Sequence, residues 1–196
     1  QDKSFGYVLL TWFIMGFANL WTLPLRVDYV TAPEWGIEGS AIFVAMIITI
    51  IPETMRMILI PYWASLFDRM NFVVLRMILN LFFGLGVLLF FVTSNPLVIG
   101  LGSALIGAAF AGGSIAWNLW VTKYAPPGKT GAYMSVHVSL TGIRGTIGPM
   151  LGYWTVGIIG AQNIGILSCA MMFFATLMLI PEIKHGRETN LKGKSL

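Results

Sequence analysis

Six segments of this 196-residue chain are apolar over at least the roughly 20 residues that an α-helix needs to cross a bilayer. They lie at about residues 5–30, 38–67, 72–92, 97–122, 132–158 and 162–181. The breaks between them contain polar and turn-forming stretches such as TAPEWG, DRMN and APPGKTG, and are too short for soluble domains. The sequence therefore predicts an all-α membrane protein in which residues 1–196 form a single six-helix transmembrane bundle, with residues 182–196 as a tail.

The composition supports a lipid environment and excludes several other classes. Hydrophobic residues make up 57% of the chain and charged residues 10%, whereas a soluble domain has about 25% charged residues. The basic residues are scattered singly, which predicts no nucleic-acid partner. The lone Cys169 offers no disulfide framework or paired metal site. With no ATP-binding motif either, the sequence predicts no cofactor.

The positions of the lysines and arginines predict the orientation in the membrane. If the N-terminus is cytoplasmic, the outer segments hold only Arg26, while Arg56 and Arg144 are intramembrane. The other nine of the twelve basic residues then lie inside: Lys3, Arg69, Arg76, Lys123, Lys129, Lys184, Arg187, Lys192 and Lys194. Both termini are therefore predicted to be cytoplasmic.

Polar residues concentrate on four of the six predicted helices, while the third and sixth have no charge in their central turns. We therefore expect helices one, two, four and five to enclose something polar and helices three and six to face lipid. The division repeats after three helices, which predicts two inverted three-helix repeats. The polar residues are Thr11, Asn19, Thr22 and Arg26, then Thr49, Glu53 and Arg56, then Ser103, Ser114 and Asn118, and finally Ser135, His137, Ser139, Thr141 and Arg144.

Arg144 is the most costly of these residues, because it lies mid-way along an apolar segment without an acidic partner on its own helix. A charge at the centre of a bilayer is retained only where it faces a protein interior or a watery cavity. With Glu53 and Arg56 nearby, the expected charge at mid-depth is about +1. The sequence leaves two ways of completing it: a carboxylate- or phosphate-bearing solute, or an acidic residue from a partner.

Glu53 and Arg56 are three residues apart, so they can pair on one face of their helix. Pro52 removes a backbone donor immediately before them and predicts a kink. Two interpretations stay open for this pair. It forms a solute or proton-coupling site at a flexible point, or it is self-neutralised and packs against helix five or a partner.

Two motifs resemble one half of a major facilitator superfamily transporter. The loop between helices two and three reads YWASLFDRMNFVVLR, similar to the family's G-x-x-x-D-R-x-G-R-R/K signature. Asp68 and Arg69 match, Ala64, Asn71 and Phe72 depart from it, and Arg76 can supply the missing charge. Helix five reads GIRGTIGPMLG and resembles the family's glycine-proline motif through Gly142, Gly145, Gly148, Pro149 and Gly152.

The resemblance covers the whole chain but only half of a usual twelve-helix transporter. It implies secondary transport of a small solute by alternating access in a bacterial inner membrane, and the charge of Arg144 suggests an anionic solute. The basic tail and the departures from the motif suggest the C-terminal half. A second six-helix half is the implied partner, as an upstream part of the same chain, a separate chain or a second copy. Asp68, Arg69 and Arg76 would form a gate, and the glycines and Pro149 would pack helices. The candidate solute or coupling residues are Asn19, Arg26, Glu53, Arg56, Asn118, His137 and Arg144.

Two other classes compete with a transporter. An intramembrane serine protease would use Ser114 and His137, but G-x-S-G is missing and the histidine is on helix five. The chain is therefore predicted not to be an enzyme. A non-transporting structural or assembly subunit of a larger membrane complex is the remaining alternative, with the intramembrane charges as interface pairs.

Overall fold

The computed structural model describes residues 3–35 and 37–184, and these residues form helices joined by short connections, without a β-strand among them. The predicted all-α class is therefore confirmed. Arg187, Lys192 and Lys194, which were counted among the inner basic residues, lie outside the described part of the chain.

Each of the six predicted segments coincides with one helix or with a group of consecutive helices. The first is interrupted at Leu23 and Pro24, and the second contains a π-helical turn over Met46–Ile50. The helices are α1 (Lys3–Thr22), α2 (Leu25–Thr31), α3 (Ala41–Ala45), α4 (Ile51–Arg69), α5 (Phe72–Phe91), α6 (Pro96–Tyr124), α7 (Thr130–Ile159) and α8 (Ala161–Met178), with 3₁₀ turns at Pro33–Trp35 and Ile180–Glu182.

The helix ends follow from local chemistry. Ser40, Asn71 and Asn95 precede α3, α5 and α6, and each side chain accepts a hydrogen bond from a backbone N–H in the first turn. Gly160 separates α7 from α8 with a φ of 79°, a conformation that residues with a side chain rarely adopt. The weakly polar stretch around residue 160 is therefore a real break between two helices.

Within residues 3–35 and 37–184, five helical stretches are long and apolar enough to cross a membrane: Lys3–Thr31, Ala41–Arg69, Phe72–Phe91, Pro96–Tyr124 and Ala161–Glu182. At 30 residues α7 is also long enough to span. It is less apolar because it carries the run of serine, threonine, histidine and arginine residues from Ser135 to Thr146.

The helix contacts have the symmetry expected of two related three-helix units. The first unit comprises α1, α4 and α5, with the short helices α2 and α3, and the second comprises α6, α7 and α8. The first helix of each unit packs against the other unit: α1 packs against α7 and α8, and α6 packs against α4 and α5. The third helices of the two units, α5 and α8, pack against each other. In both directions the first helix of one unit packs against the second and third helices of the other. This equivalence fits the predicted repeat.

That helices three and six face lipid stays a prediction. Both α5 and α8 pack on one side against each other and against α6 and α1 respectively, while α8 also exposes Phe174 and Leu177. The widest open faces belong to α4, where Met57 and Tyr62 are exposed, and to α7, where Met150 and Trp154 are exposed. A helix without central charges suits an apolar protein core as well as it suits lipid, so its composition could not distinguish the two.

Candidate functional site

A cavity of about 410 Å³ opens between the two units, and we call it the central cavity. The predicted polar helices α1, α4, α6 and α7 all contribute to its wall, and α5 contributes as well. The polar lining residues are Asn19, Arg56, Arg76, Ser114, Thr141 and Arg144, and the larger apolar ones include Trp12, Leu20, Phe83, Phe110 and Trp117.

Arg144 lies at this cavity and is only 6% exposed. Its Nη1 donates a hydrogen bond to the backbone carbonyl of Trp12 on α1. The guanidinium rests against Gly16, one turn further along α1, in the space that a Cβ atom on Gly16 would fill. The absence of a side chain at Gly16 therefore permits the planar group to reach the backbone of α1. Its Nε has no hydrogen-bond partner among the described residues.

Arg76 is placed differently from the prediction that assigned it to the gate at the helix ends. It lies in the second turn of α5, is 2% exposed, and points into the interior. Its Cζ lies 3.5 Å from the ring centroid of Trp12, and its Nη2 lies 3.0 Å from the sulfur of Met15. Arg76 and Arg144 therefore approach the same stretch of α1, from α5 and α7 respectively.

The charge around the central cavity is more positive than the sequence suggested. Arg56, Arg76 and Arg144 all line it, and no acidic residue among those described does so. Glu53 pairs with Arg56, which leaves a surplus of two positive charges rather than one. Arg76 contacts the thioether of Met15 and the ring of Trp12, and Arg144 contacts the carbonyl of Trp12. All three of these groups are neutral.

Glu53 and Arg56 form the predicted pair within α4, with 3.4 Å between Arg56 Nη1 and Glu53 Oε2. It is the one ion pair within residues 3–35 and 37–184, and its side chains are 41% exposed for Arg56 and 56% exposed for Glu53. A surface pair of this kind contributes at most ~1 kcal/mol in water. The two side chains are held at this spacing by α4 and stay partly open to solvent.

Arg56 also lines a second cavity of about 310 Å³, with Glu53, Ser103 and Arg26. Arg26 is buried and donates a 3.0 Å hydrogen bond from Nη2 to the side-chain oxygen of Asn19, which lines the central cavity. The structure therefore brings five predicted residues to two adjoining cavities: Asn19, Arg26, Glu53, Arg56 and Arg144.

A π-helical turn precedes Pro52 and Glu53 in the second membrane segment. The N–H of Ile51 bonds the carbonyl of Met46, five residues back. The corresponding partner for the carbonyl of Ile47 would be residue 52, which is a proline and has no N–H. Ser103 Oγ on α6 donates to that carbonyl instead. Gly107, one turn further along α6, lets the backbone of Pro52 approach in direct contact.

His137 does not line either of these cavities but lies in an aromatic cage below Arg144. It is 1% exposed, and its ring centroid lies 5.4, 5.2 and 5.3 Å from those of Trp12, Trp117 and Trp120. Its Nε2 has no hydrogen-bond partner among the described residues. Trp120 is fully buried, so it belongs to the core rather than to a membrane interface.

Asn118, Asp68 and Arg69 remain outside the two cavities. Asn118 is exposed and donates from Nδ2 to the carbonyl of Ser114 on its own helix. Asp68 and Arg69 are exposed at the end of α4, and neither forms an ion pair within residues 3–35 and 37–184. Their gating role stays a prediction.

The glycines of α7 do not form one packing ridge. A Cβ on Gly148 or Gly152 would meet Leu20 or Trp21 of α1, whereas none on Gly142 or Gly145 would meet an atom within 4 Å. Six residues advance a helix by about 600°, so Gly142 and Gly148 lie about 120° apart around it. The first two glycines therefore lie on the open face of α7, and the half-buried Pro149 lies beside the packed pair.

Gly16 and Arg76 were not identified from the sequence as residues of this site, and Ser103 was predicted only as one of the polar residues of the fourth helix. Gly16 lacks any motif that marks it. Arg76 did carry a signal, because Phe72, Leu79 and Phe83 are spaced around it as one helical stripe. All three are buried on α5 together with Arg76.

Long apolar helices around a polar, arginine-lined cavity define a multi-pass membrane protein with a solute-sized site. A family model described as Major Facilitator Superfamily matches residues 4–195. The chain therefore belongs to the major facilitator superfamily, whose members are secondary transporters rather than enzymes. Comparisons with curated proteins and with solved structures gave no match.

Proposed function

We propose that this chain forms one half of a secondary transporter that moves a small anionic solute by alternating access. The central cavity would bind the solute, and Arg144 would hold its acidic group. The observation that carries the proposal is the position of Arg144, which is buried at a solute-sized cavity and receives no carboxylate from the described residues. A planar guanidinium suits a carboxylate or a phosphate because it can donate two parallel hydrogen bonds.

The open faces of α4 and α7 support a second six-helix half as the partner. They flank the cavity, they carry large exposed apolar side chains, and α4 also presents the Glu53–Arg56 pair there. That half would be an upstream part of the same chain, a separate chain or a second copy. In our proposal the present half is the C-terminal one, both termini are cytoplasmic, and the membrane is a bacterial inner membrane.

Alternating access would then rock the two halves about the central cavity. Asp68 and Arg69, at the end of α4, would act as the gate on one side. Their exposure leaves both side chains available to a partner half.

The test is counterflow of labelled anions by proteoliposomes that contain the chain together with its second half. We expect Arg144→Gln to abolish transport, and Arg144→Lys to reduce it strongly because an ammonium cannot donate in the fork geometry. Lys129→Gln, an exposed change of the same charge, is the control. Folding of each variant is checked by size-exclusion chromatography. Full transport by a folded Arg144→Gln protein would overturn the anion site.

The competing function is a structural subunit of a larger membrane complex. The exposed Glu53–Arg56 pair favours it, because a partner could cover that pair as an interface contact. An assembled complex that shows no counterflow with any anion would support this alternative. Transport by the reconstituted pair of halves would exclude it.

A further inference from the structure

We propose that the ligand of the central cavity is an organic dianion, bound through Arg76 and Arg144 together. This inference rests on the proposed function and specifies the charge and body of the solute. The two guanidinium groups enter from different helices, α5 and α7, and meet at the Trp12–Gly16 stretch of α1.

The charge of the cavity wall sets the charge of the ligand. Three arginines line the cavity, counting the described residues, and Glu53 neutralises Arg56 at 3.4 Å. Arg76 and Arg144 are 2% and 6% exposed, and no described carboxylate pairs with either. Buried charges without counter-charges are strongly unfavourable, so two negative charges are needed to balance the pair.

The present partners of the two arginines are weak enough to be exchanged for a ligand. Arg76 stacks on the face of Trp12 and lies 3.0 Å from the Met15 sulfur, which is a poor acceptor. Arg144 donates to the backbone carbonyl of Trp12. Within α1 this carbonyl is also positioned to accept the helical hydrogen bond from the residue four positions further on. Neither contact removes the charge, whereas an acidic group would both accept hydrogen bonds and neutralise it.

The other walls of the cavity predict a carbon body rather than an inorganic ion. Phe83, Phe110, Trp117 and Leu20 face the same space as the arginines. A volume of about 410 Å³ is within the range of sites for organic ligands, roughly 300–1,000 Å³. An inorganic anion would leave most of this apolar surface uncovered.

The test compares anions that share a carbon body and differ by one acidic group. Binding of succinate against butyrate, and of phthalate against benzoate, is measured by calorimetry on the purified chain. Each dianion should bind at least about tenfold more tightly than its monoanion, since a second charge-assisted hydrogen bond is worth about that factor or more. Arg76→Gln and Arg144→Gln should each bring the ratio close to one, whereas Lys129→Gln should leave it unchanged. Arg76→Lys and Arg144→Lys keep the charge and should retain part of the preference.

Several outcomes separate this inference from the proposed function. If the wild-type protein bound each monoanion as tightly as its dianion, the proposal of a dianionic ligand would be wrong. This result does not depend on whether the glutamine variants fold. Binding of neither anion would overturn the proposal too, and would indicate that carboxylates of a partner complete the site. Transport of monoanions by the two halves would then leave the proposed function standing. Dianion binding without any counterflow would support the site and contradict the transporter.

Discussion

The hydroxyl of Ser103 donates a hydrogen bond to the backbone carbonyl of Ile47, the group that would otherwise depend on the missing N–H of Pro52. The contact joins α6 to the π-helical turn of the second membrane segment. It holds the start of α4 in place, and with it the Glu53–Arg56 pair. A backbone break within a membrane requires such a substitute donor, because lipid offers none.

We therefore expect Ser103→Ala to lower the free energy of unfolding by about 1–3 kcal/mol, the cost of a buried acceptor left without a partner. The cost should shrink in a Pro52→Ala background, because alanine restores an N–H to this turn. Ser135→Ala, which removes an exposed hydroxyl bonded within its own helix, is the control. Denaturant unfolding of the two single variants and the double variant measures the coupling. Additive effects in that cycle would contradict the substitution of Ser103 for the proline N–H.

A second prediction concerns Gly107, which lies in contact with the Pro52 backbone. Gly107→Ala would force α4 away from α6, and overpacking of this kind costs about 1–3 kcal/mol. The matched control is Gly100→Ala on the same helix, where a Cβ would lie 3.7 Å from the Ile47 side chain, an ordinary contact. Thermal unfolding in detergent should rank Gly107→Ala well below Gly100→Ala. Equal stability of the two variants would argue against this close approach.

The third prediction concerns Gly16, whose missing side chain leaves room for the Arg144 guanidinium. Gly16→Ala should displace that group and weaken anion binding without changing any charge, with little loss of stability because the guanidinium is the end of a flexible side chain. Gly6→Ala lies on the same helix with open space around its Cβ, so it should be neutral or up to about 1 kcal/mol stabilising. Calorimetric binding and thermal unfolding measure the two effects. Unchanged anion affinity in Gly16→Ala would show that the position of Arg144 is unimportant for binding.

The fourth prediction separates folding of this half from its docking to another. Gly142 and Gly145 lie on the open face of α7 with nothing within 4 Å. Alanine at both should raise helix stability by about 1 kcal/mol per site in the isolated chain. The same change should reduce counterflow by the paired halves if that face meets the partner. Gly152→Ala, which meets the Trp21 backbone, should instead destabilise the isolated chain. A double variant that transports normally would place the partner elsewhere.

The sequence predicted the helical membrane class, because the length of an apolar segment follows from the thickness of a bilayer. It also identified Arg144 and the Glu53–Arg56 pair, since the cost of an intramembrane charge and the geometry of an i,i+3 pair are local properties. Arg76 was misplaced because a basic residue near a helix end resembles a loop residue. Its burial is determined by Trp12 and Met15, which are distant in sequence.

The sequence could not predict which glycines allow another helix to approach closely. Gly16 and Gly107 look like any other glycine of an apolar helix until the crossing helices are in place. The α7 glycines show the converse, because regular spacing suggested one ridge where the structure has a packed pair and an exposed pair. The spacing of residues in the sequence gives their relative angles around a helix. Which of those angles is buried depends on where the neighbouring helix lies.

The symmetry of the helix contacts extends to the closest crossings between the two three-helix units. Gly16, on the first helix of one unit, receives Arg144 from the second helix of the other, and Gly107, on the first helix of the other unit, receives Pro52 in the same relation. Two copies of one three-helix peptide, inserted in opposite directions, could form all the main contacts between the units. The bundle therefore has the contact pattern of an antiparallel dimer of three-helix units. A buried cation occupies one glycine crossing of this pattern, and a proline break occupies the other.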